Sequence, residues 1–386
     1  MLALGVAAQT AGTIFVSTPA FLIPLLHSGQ GMSLAQAGLL AGAPTLGMVL
    51  TLVAWGALAD RFGERRIIAG GLALTALAIA GAIAIPGYLA LATFFLLGGM
   101  AAASTNAASG RVVVGWFAKE RRGLAMGVRQ MSQPLGVTFA ALTVPSLAAG
   151  TGISAALMVP FVMVAALAVA CAIAIRNPPR LVLSMLSGAA PVPNPYASGG
   201  FLWRIHGVSV LLVVPQFLLS TFGLVWLVTE QHWEALPAGA LIAVSQFIGA
   251  VGRIGVGVLS DRVGSRVRPL RWVAISAGAA MLMLSATDMA GWRAAAAIVL
   301  VAATTMTVAD NGLAFTSVAE MAGPAWVGRA LGLQNTGQFI AASVVGPVMG
   351  LLIGLVGYPA VFAVTALFPA IAVPLVPGAE AEKDRL

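Results

Sequence analysis

Residues 56–66 read GALADRFGERR and residues 257–266 read GVLSDRVGSR, so one short charged text occurs twice, 201 positions apart. The first copy places five charged residues among eleven, although only 8% of the 386 residues are charged. A charged text repeated at this distance in a very apolar chain predicts a duplicated structural unit with one charged loop in each copy.

The composition assigns the chain to the membrane. Sixty per cent of its residues are hydrophobic and the mean hydropathy is +0.99. A soluble domain uses about 25% charged residues, so this chain cannot cover a water-facing surface. The single cysteine, Cys171, allows no disulfide framework and no cysteine metal site. The net charge of +8 resides in short loops, which favours a topology signal over nucleic-acid binding.

The apolar runs predict an all-α membrane protein with twelve transmembrane helices. A helix needs roughly 20 apolar residues to cross the hydrocarbon core, and helices satisfy their own backbone hydrogen bonds in lipid. The predicted spans cover residues 3–26, 34–59, 67–86, 88–115, 123–149, 153–175, 205–229, 238–260, 270–287, 293–318, 328–355 and 357–376.

The basic residues predict the orientation of these spans. If the N-terminus lies inside, sixteen of the twenty basic residues fall in inward loops and one, Arg293, in an outward loop. This bias predicts a multi-pass protein of the bacterial inner membrane with both termini in the cytoplasm. The remaining three lie within predicted spans: Arg111, Arg129 and Arg253.

Further similarities between the two halves of the sequence predict two pseudo-symmetric six-helix bundles. RRGLAMGVRQ at 121–130 resembles WVGRALGLQN at 326–335, and Asn106 and Asn311 are 205 residues apart. We therefore predict an N-terminal bundle at 1–175, a Pro- and Gly-rich cytoplasmic linker at 176–204, a C-terminal bundle at 205–376 and a cytoplasmic tail at 377–386. Parallel repeats of this kind enclose a substrate site near the middle of the bilayer.

The charged loop resembles the loop signature of the major facilitator superfamily, in which a Gly and a small pair precede Asp-Arg, a Gly and basic residues. The resemblance extends over the twelve-span plan of the whole chain and implies a transporter that works by alternating access. In that family the loop latches the two halves together; anchoring of the topology by arginine alone is the alternative. The predicted gating residues are Gly56, Asp60, Arg61, Gly63, Arg65, Gly257, Asp261, Arg262 and Gly264. Among them, Gly56 and Gly257 are expected to let helices approach closely, and Gly63 and Gly264 are expected to allow the tight turn before the next span.

Arg253 is the leading candidate for substrate binding. It precedes Asp261 by eight residues, which places it about 12 Å deep at the helical rise. Ionisable residues inside spans are costly and are functional candidates. The context FIGAVGRIGVGVLSDR also resembles the eighth span of oxalate/formate antiporters and monocarboxylate transporters, which implies an arginine that binds carboxylate through its planar fork. The alternative is a structural ion pair with Asp310.

Asp310 is a carboxylate predicted deep within span ten, and it is a candidate proton carrier or a static counter-ion to Arg253. Other polar residues within spans could line the same cavity, and some of them could instead join helices through hydrogen bonds. Arg111 is expected to reach the membrane surface, whereas Arg129 is expected to face the cavity. The predicted substrate-binding set is Arg253, Arg129, Gln130, Asn106, Asn311, Asn335 and Gln338.

The sequence therefore predicts a secondary transporter for a small organic anion, with a carboxylate as the favoured group. It carries no recognisable catalytic constellation, cofactor motif or metal site, so its energy is expected from an ion or substrate gradient, with the proton as the candidate coupling ion. The predicted partners are a small molecule and the lipid bilayer, and the predicted state is monomeric. Two alternatives remain open: proton-coupled export of drugs or other apolar compounds, and a non-transporting receptor on the same fold.

Overall fold

Long apolar helices account for nearly all of the described chain in a computed structural model. The structure describes residues 1–116, 128–129, 131–176, 194–197, 199–323 and 326–378, without the side chains of residues 60, 110–116, 327 and 328. The helices are α1 Leu2–Pro24, continued by a π-helical turn at Leu25–Gly29, α2 Leu34–Phe62, α3 Glu64–Ala84, α4 Tyr88–Trp116, α5 Ser132–Thr151, α6 Ile153–Ala174, α7 Phe201–Thr229, α8 Ala235–Val263, α9 Val267–Met289, α10 Arg293–Val308, α11 Asp310–Ala322, α12 Val327–Thr365 and α13 Leu367–Leu375.

Within the described residues the helices match the predicted spans, with two differences; residues 123–127 and 130 of the predicted span five lie outside that part of the chain. Eleven helical stretches in the described residues are long and apolar enough to cross a membrane, the longest at Arg329–Leu375. That stretch bends at Gly357, whose φ of 78° and ψ of 168° are not helical, so it contains the predicted spans eleven and twelve. The predicted span ten is broken into α10 and α11 at Ala309. Neither interruption removes a span, and the all-α membrane fold is confirmed.

Two compact units make up the chain. The first contains residues 1–182, 224–243 and 346–350, and the second contains residues 183–223, 244–345 and 351–386. Glycines explain why the short pieces join the first unit. A Cβ atom added to Gly346 or Gly350 would overlap the backbone of α2 at Gly38 or Leu34, and one added to Gly239 would overlap the carbonyl of Ala141. Only a residue without a side chain allows such close approach.

Within the first unit, α2 and α4 pack with their backbones almost in contact. A Cβ atom on Gly47 would lie 2.7 Å from the amide nitrogen of Met100. The hydroxyl of Thr51 and the indole N–H of Trp55 both donate to the carbonyl of Met100, at 2.7 and 2.6 Å. Small residues that let helices approach, together with interhelical hydrogen bonds, are the main sources of helix association in lipid. This pair therefore forms a rigid part of the unit.

Arginines near the start of α3 and of α9 cap the last helix of each half. Nε of Arg65, at the start of α3, donates to the carbonyl of Ala172 near the end of α6 at 2.7 Å. Arg271, 206 residues later in α9, donates through Nη2 to the carbonyl of Val376 just after α13, at 3.1 Å. The last carbonyls of a helix have no partner within that helix, and a cation also complements its C-terminal partial charge. Both halves therefore cap their last helix with an arginine, although Arg65 aligns with Arg266 and not with Arg271 in the repeated loop.

Candidate functional site

The first unit contains a ring of polar side chains contributed by α1, α4 and the short helical piece that carries Arg129. The amide of Gln9 donates to Oδ1 of Asn106 at 2.9 Å, and its Oε1 accepts from Ser109 at 3.0 Å. Arg129 donates from Nε to the hydroxyl of Ser109 at 2.9 Å and from Nη2 to the backbone carbonyl of Asn106 at 3.1 Å. The predicted residues Arg129 and Asn106 therefore lie together, and Gln9 and Ser109 connect them.

The second unit contains a corresponding cluster on α7, α11 and α12. The amide of Asn311 donates to Oε1 of Gln216 at 3.0 Å. The amide of Gln338 donates to Oδ1 of Asn311 at 2.9 Å and to the hydroxyl of Ser209 at 2.6 Å. Two of the predicted residues, Asn311 and Gln338, are thus in direct contact. Both clusters are thus built around a Gln–Asn hydrogen bond, which places the amide groups of each pair in a fixed orientation.

The two Gln–Asn pairs are related by the internal repeat. Gln9 and Gln216 are 207 residues apart and Asn106 and Asn311 are 205 apart. Each pair joins the first and fourth spans of its half, and both glutamines are almost fully buried, at 5% and 6% exposure. A buried amide needs a partner because an unpaired one costs about 1–3 kcal/mol. The pairs therefore determine how those two helices are rotated against each other.

Arg253 and Asp310 lie beside the break between α10 and α11. Nε of the half-buried Arg253 donates to the carbonyl of Val308 at 2.9 Å, the one hydrogen bond that its guanidinium makes with the described residues. The Asp310 side chain is 1% exposed, and neither carboxylate oxygen has a well-formed hydrogen bond with a described residue. The two charges interact electrostatically, but no hydrogen bond of the described residues joins the guanidinium to the carboxylate.

Some predicted binding residues lie elsewhere or outside the described residues. Asn335 donates to the carbonyl of Leu331 in its own helix at 3.0 Å and takes no part in the cluster of the second unit. The Leu331 carbonyl lies one helical turn before Asn335, so the side-chain amide of Asn335 finds its hydrogen-bond partner within its own helix. Gln130 and the side chain of Arg111 lie outside the described residues.

The charged loops contain the predicted tight turns. Gly63 and Gly264 adopt φ values of 84° and 64° between consecutive helices, a region that residues with side chains seldom occupy. The explanation for the other two glycines was wrong. Gly56 and Gly257 were expected to allow close helix packing, but a Cβ atom added to either would meet nothing within 4 Å.

In the second loop, charge pairing extends to a third helix. Arg266 contacts Asp261 at 2.5 Å and Glu320, at the end of α11, at 3.0 Å. Nη1 of Arg266 also donates to the hydroxyl of Ser260 at 2.9 Å. The hydrogen bond to Glu320 raises the pKa of the Arg266 guanidinium above its ordinary value, because it stabilises the charged form. The loop thus joins the ends of α8 and α11, which the sequence did not indicate.

In the first loop, the described arginines contact an aromatic ring and a helix end. The Arg61 guanidinium lies 5.3 Å from the ring centroid of the neighbouring Phe62. Arg65 caps α6 as described above, and the side chain of Asp60 lies outside the described residues. Arg262, the counterpart of Arg61 in the second loop, is exposed. Arg61 is exposed as well.

Sequence reasoning missed Gln9, Gln216, His206 and Gln334. His206 and Gln334 form a buried hydrogen bond of 2.5 Å. The signal that could have found the two glutamines at positions 9 and 216 was the repeat itself, because both occupy the first helix of a half at nearly the same offset as the two asparagines. Among the described residues, no group of three or more His, Cys, Asp or Glu side chains could hold a metal ion.

A membrane-spanning bundle of repeated helices, with buried amide clusters and charged residues within the helices, is typical of a polytopic membrane transporter. The chain belongs to the Major Facilitator Superfamily, whose sequence profile matches residues 4–346. It is thus a transporter and not an enzyme.

Relatives and solved structures agree with this family. An uncharacterized MFS-type transporter of Mycobacterium tuberculosis, Rv2994, is 45% identical over 377 residues, which cover 98% of this chain and 84% of that protein. The probable nitrate/nitrite transporter NarK2 of the same species is 29% identical over 79% of this chain and 76% of its own length. The fold matches an inward-facing crystal structure of a bacterial homologue of the human lysosomal transporter Spinster, with a TM-score of 0.80, 14% identity and coverage of 100% of this chain and 96% of that one.

Proposed function

We propose that this transporter moves a small organic anion with a planar carboxylate group across the bacterial inner membrane, and that Arg253 binds the anion. The observation that carries the proposal is the guanidinium of Arg253, which makes one hydrogen bond, through Nε, with the described residues. Its two terminal nitrogens remain available to a ligand. A guanidinium presents parallel N–H groups that match the two oxygens of a carboxylate.

The chemistry of the relatives supports an anion. NarK2 is named as a probable nitrate/nitrite transporter, and nitrate and nitrite share with carboxylates a planar arrangement of oxygens that bear delocalised negative charge. Arginine recognises that arrangement in the same bidentate manner. Nitrate and nitrite are therefore included in the test below as the alternative anions.

Asp310 is proposed to couple transport to protons. Its carboxylate is 1% exposed and has no well-formed hydrogen bond with a described residue, so its negative charge depends on Arg253 for compensation. When an anion occupies the guanidinium, that compensation is shared and the buried carboxylate becomes costly in its charged form. Protonation of Asp310 restores electrical balance, so one proton would move with each monovalent anion.

The two amide clusters are proposed to complete the site. Asn106 and Asn311 are each partly exposed beside a buried glutamine, so their amides can reach a ligand without losing the partner that orients them. Arg129 adds a second positive charge beside Asn106. Gln338 orients Asn311 from the other side, and Gln130 and Asn335 remain weaker candidates for the same role.

The topology and the gating loops belong to the same proposal. With the arginine-rich loops in the cytoplasm, both termini and the linker at 176–204 are cytoplasmic. Alternating access then requires the halves at 1–175 and 205–376 to move as bundles, with the loops around Asp60 and Asp261 as latches. The Arg266 contacts with Asp261 and Glu320 support such a latch in the second half.

The experiment is anion uptake into proteoliposomes under an inward proton gradient, with short mono- and dicarboxylates, nitrate and nitrite supplied separately. Loss of a bidentate, charge-assisted contact costs about 1.5–3 kcal/mol, which corresponds to roughly tenfold to a hundredfold in transport efficiency. The transport efficiency of Arg253→Lys is therefore expected to be lower than that of the wild type by this factor. The control is Arg268→Lys, because Arg268 is exposed and its guanidinium makes no described hydrogen bond.

Asp310→Asn tests the coupling separately. This variant is expected to lose uptake driven by the proton gradient while it retains exchange of labelled for unlabelled anion, because exchange needs no net proton movement. Asp288→Asn, which changes a partly exposed carboxylate near the end of α9, is the control. Full anion transport by Arg253→Lys would refute the binding role, and insensitivity to Arg253→Ala with broad transport of apolar compounds would favour the export alternative.

A further inference from the structure

A short segment of the linker, residues 194–197, places the side chain of Tyr196 against the start of α7. The side chain of Asn194 accepts from the backbone N–H of Tyr196 at 3.0 Å, and its carbonyl accepts from the N–H of Ala197 at 3.0 Å. An asparagine that bonds its own backbone two residues on stabilises a tight turn. The turn fixes the backbone of Tyr196 and therefore also limits the direction in which its side chain can point.

The ring of Tyr196 lies among three aromatic side chains. It is stacked on His206 with 5.8 Å between ring centroids and 17° between planes, and it lies 5.1 Å from Trp203 and 6.4 Å from Trp326. The guanidinium of Arg329 covers the Trp326 ring at 4.9 Å. Since Trp203 and His206 belong to α7 and Trp326 precedes α12, the tyrosine ring contacts both helix ends. Aromatic pairs of this kind contribute about 0.5–1.5 kcal/mol each beyond burial.

The hydroxyl of Tyr196 extends this contact into the interior. It shares a hydrogen bond of 2.9 Å with Nε2 of His206, whose Nδ1 shares one of 2.5 Å with Oε1 of Gln334. Gln334 is 2% exposed, and its amide nitrogen has no partner among the described residues. His206 therefore uses both ring nitrogens to link the linker to α12.

One helical turn further along, the same two helices are joined again. Ser209 on α7 accepts from Gln338 on α12 at 2.6 Å, and Gln338 also donates to Asn311. His206 and Ser209 are three residues apart and Gln334 and Gln338 are four apart, so each pair lies on one helix face. Any movement that separates α7 from α12 at this end must break both links.

We propose that Tyr196 is a latch that fastens the linker to α7 and α12 and holds the His206–Gln334 and Ser209–Gln338 links together. The pocket formed by Trp203, His206 and Trp326 is then a receptor for a phenol ring, occupied in this structure by the chain itself. Release of Tyr196 loosens the α7–α12 contact. This inference does not depend on which substrate the transporter carries.

Chemical labelling tests the latch without a known substrate. Ala330 is 0% exposed and lies in the same buried cluster against which Tyr196 packs. The chain has one natural cysteine, Cys171, so Ala330→Cys in a Cys171→Ser background gives a single reporter. Its rate of modification by a water-soluble thiol reagent is measured on the purified protein in detergent. Loss of the ring and its hydrogen bond in Tyr196→Ala is expected to raise the rate at least tenfold.

Two variants separate the contributions and guard against misfolding. Tyr196→Phe keeps the ring and removes one hydrogen bond, so an increase of about fivefold is expected. Tyr88→Ala removes a tyrosine near the start of α4 and is expected to leave the rate unchanged. Millimolar p-cresol, which resembles a free tyrosine side chain, is expected to restore protection in Tyr196→Ala, whereas toluene restores less because it lacks the hydroxyl.

The results that would overturn the proposal are specific. If both Tyr196 variants label at the wild-type rate, the ring does not hold this end closed. If p-cresol protects Tyr88→Ala as much as Tyr196→Ala, the protection comes from partitioning into detergent and not from the pocket. If Tyr196→Ala does not fold, the fivefold effect of Tyr196→Phe decides alone.

Discussion

Replacement of Gly99 by alanine is expected to destabilise the first unit because α2 and α4 are in backbone contact there. A Cβ atom at position 99 would lie 2.5 Å from both the Cα and the carbonyl carbon of Pro44. Ordinary carbon contacts are about 3.5–4.0 Å, so the helices must separate by about 1 Å. Overpacking of this kind costs about 1–3 kcal/mol.

The separation would also strain other contacts of the same helix pair. The carbonyl of Met100, next to Gly99, accepts from Thr51 and Trp55 at 2.7 and 2.6 Å, and an added 1 Å would weaken both hydrogen bonds. Each such bond contributes about 0.5–1.5 kcal/mol. We therefore expect Gly99→Ala to lower the free energy of unfolding by about 2–4 kcal/mol in total.

The assay is equilibrium unfolding in mixed detergent, with sodium dodecyl sulfate as the denaturant and helix content as the signal. The matched control is Gly70→Ala on α3, where an added Cβ atom meets nothing within 4 Å. There the better helix propensity of alanine should stabilise the protein by about 0.5–1 kcal/mol. Equal unfolding midpoints for Gly99→Ala and the wild type would refute the claim that backbone contact holds α2 against α4.

Two further predictions concern single contacts. Asn311→Leu removes the shared hydrogen-bond partner of two buried glutamine side chains and should lower the free energy of unfolding by about 2–4 kcal/mol. Asn335→Leu should lower it by less than about 1 kcal/mol, because the Asn335 side chain donates only to a carbonyl of its own helix. Denaturation in the same detergent system measures both losses, and similar values would contradict the view that Asn311 holds the polar cluster of the second unit together. Arg271→Gln removes one arginine donor to the carbonyls of Val376 and Pro377 after α13. It should cost about 1 kcal/mol, with Arg268→Gln unchanged as the control; a loss in Arg268→Gln as large as in Arg271→Gln would show a general charge effect rather than a cap.

Much of the fold was predictable because it depends on local sequence. Apolar runs of about twenty residues must form helices in lipid, and Gly63 and Gly264 adopt the positive φ that their loops predicted. The break at Ala309 was not predictable, because the residues around it carry no proline or glycine before Gly312. Tertiary contact, such as the Arg253 bond to the Val308 carbonyl, competes there with the helix hydrogen bonds.

The candidate site was predictable only in part. The positions of Arg253, Asp310, Asn106 and Asn311 within spans marked them as functional, since polar groups are costly in lipid. The hydrogen-bond partners of these residues could not be predicted from the sequence, because a hydrogen bond between helices depends on the rotation of each helix and on the angle at which the helices cross. Asn335 illustrates the limit: its residue type and depth resemble those of Asn311, yet its amide bonds to Leu331.

The sequence by itself therefore determined a duplicated, twelve-span helical transporter with one charged loop in each half. The composition indicates that most of the chain lies in lipid, the length of the apolar runs predicts the helices, and the internal repeat can be recognised in the sequence alone. Only the tertiary structure decided that Gln9 and Gln216 orient the two asparagines, that Asp310 stands without a well-formed hydrogen bond and that Tyr196 closes on His206. These are contacts between residues far apart in the chain, and their geometry is fixed by how helices pack rather than by any local pattern.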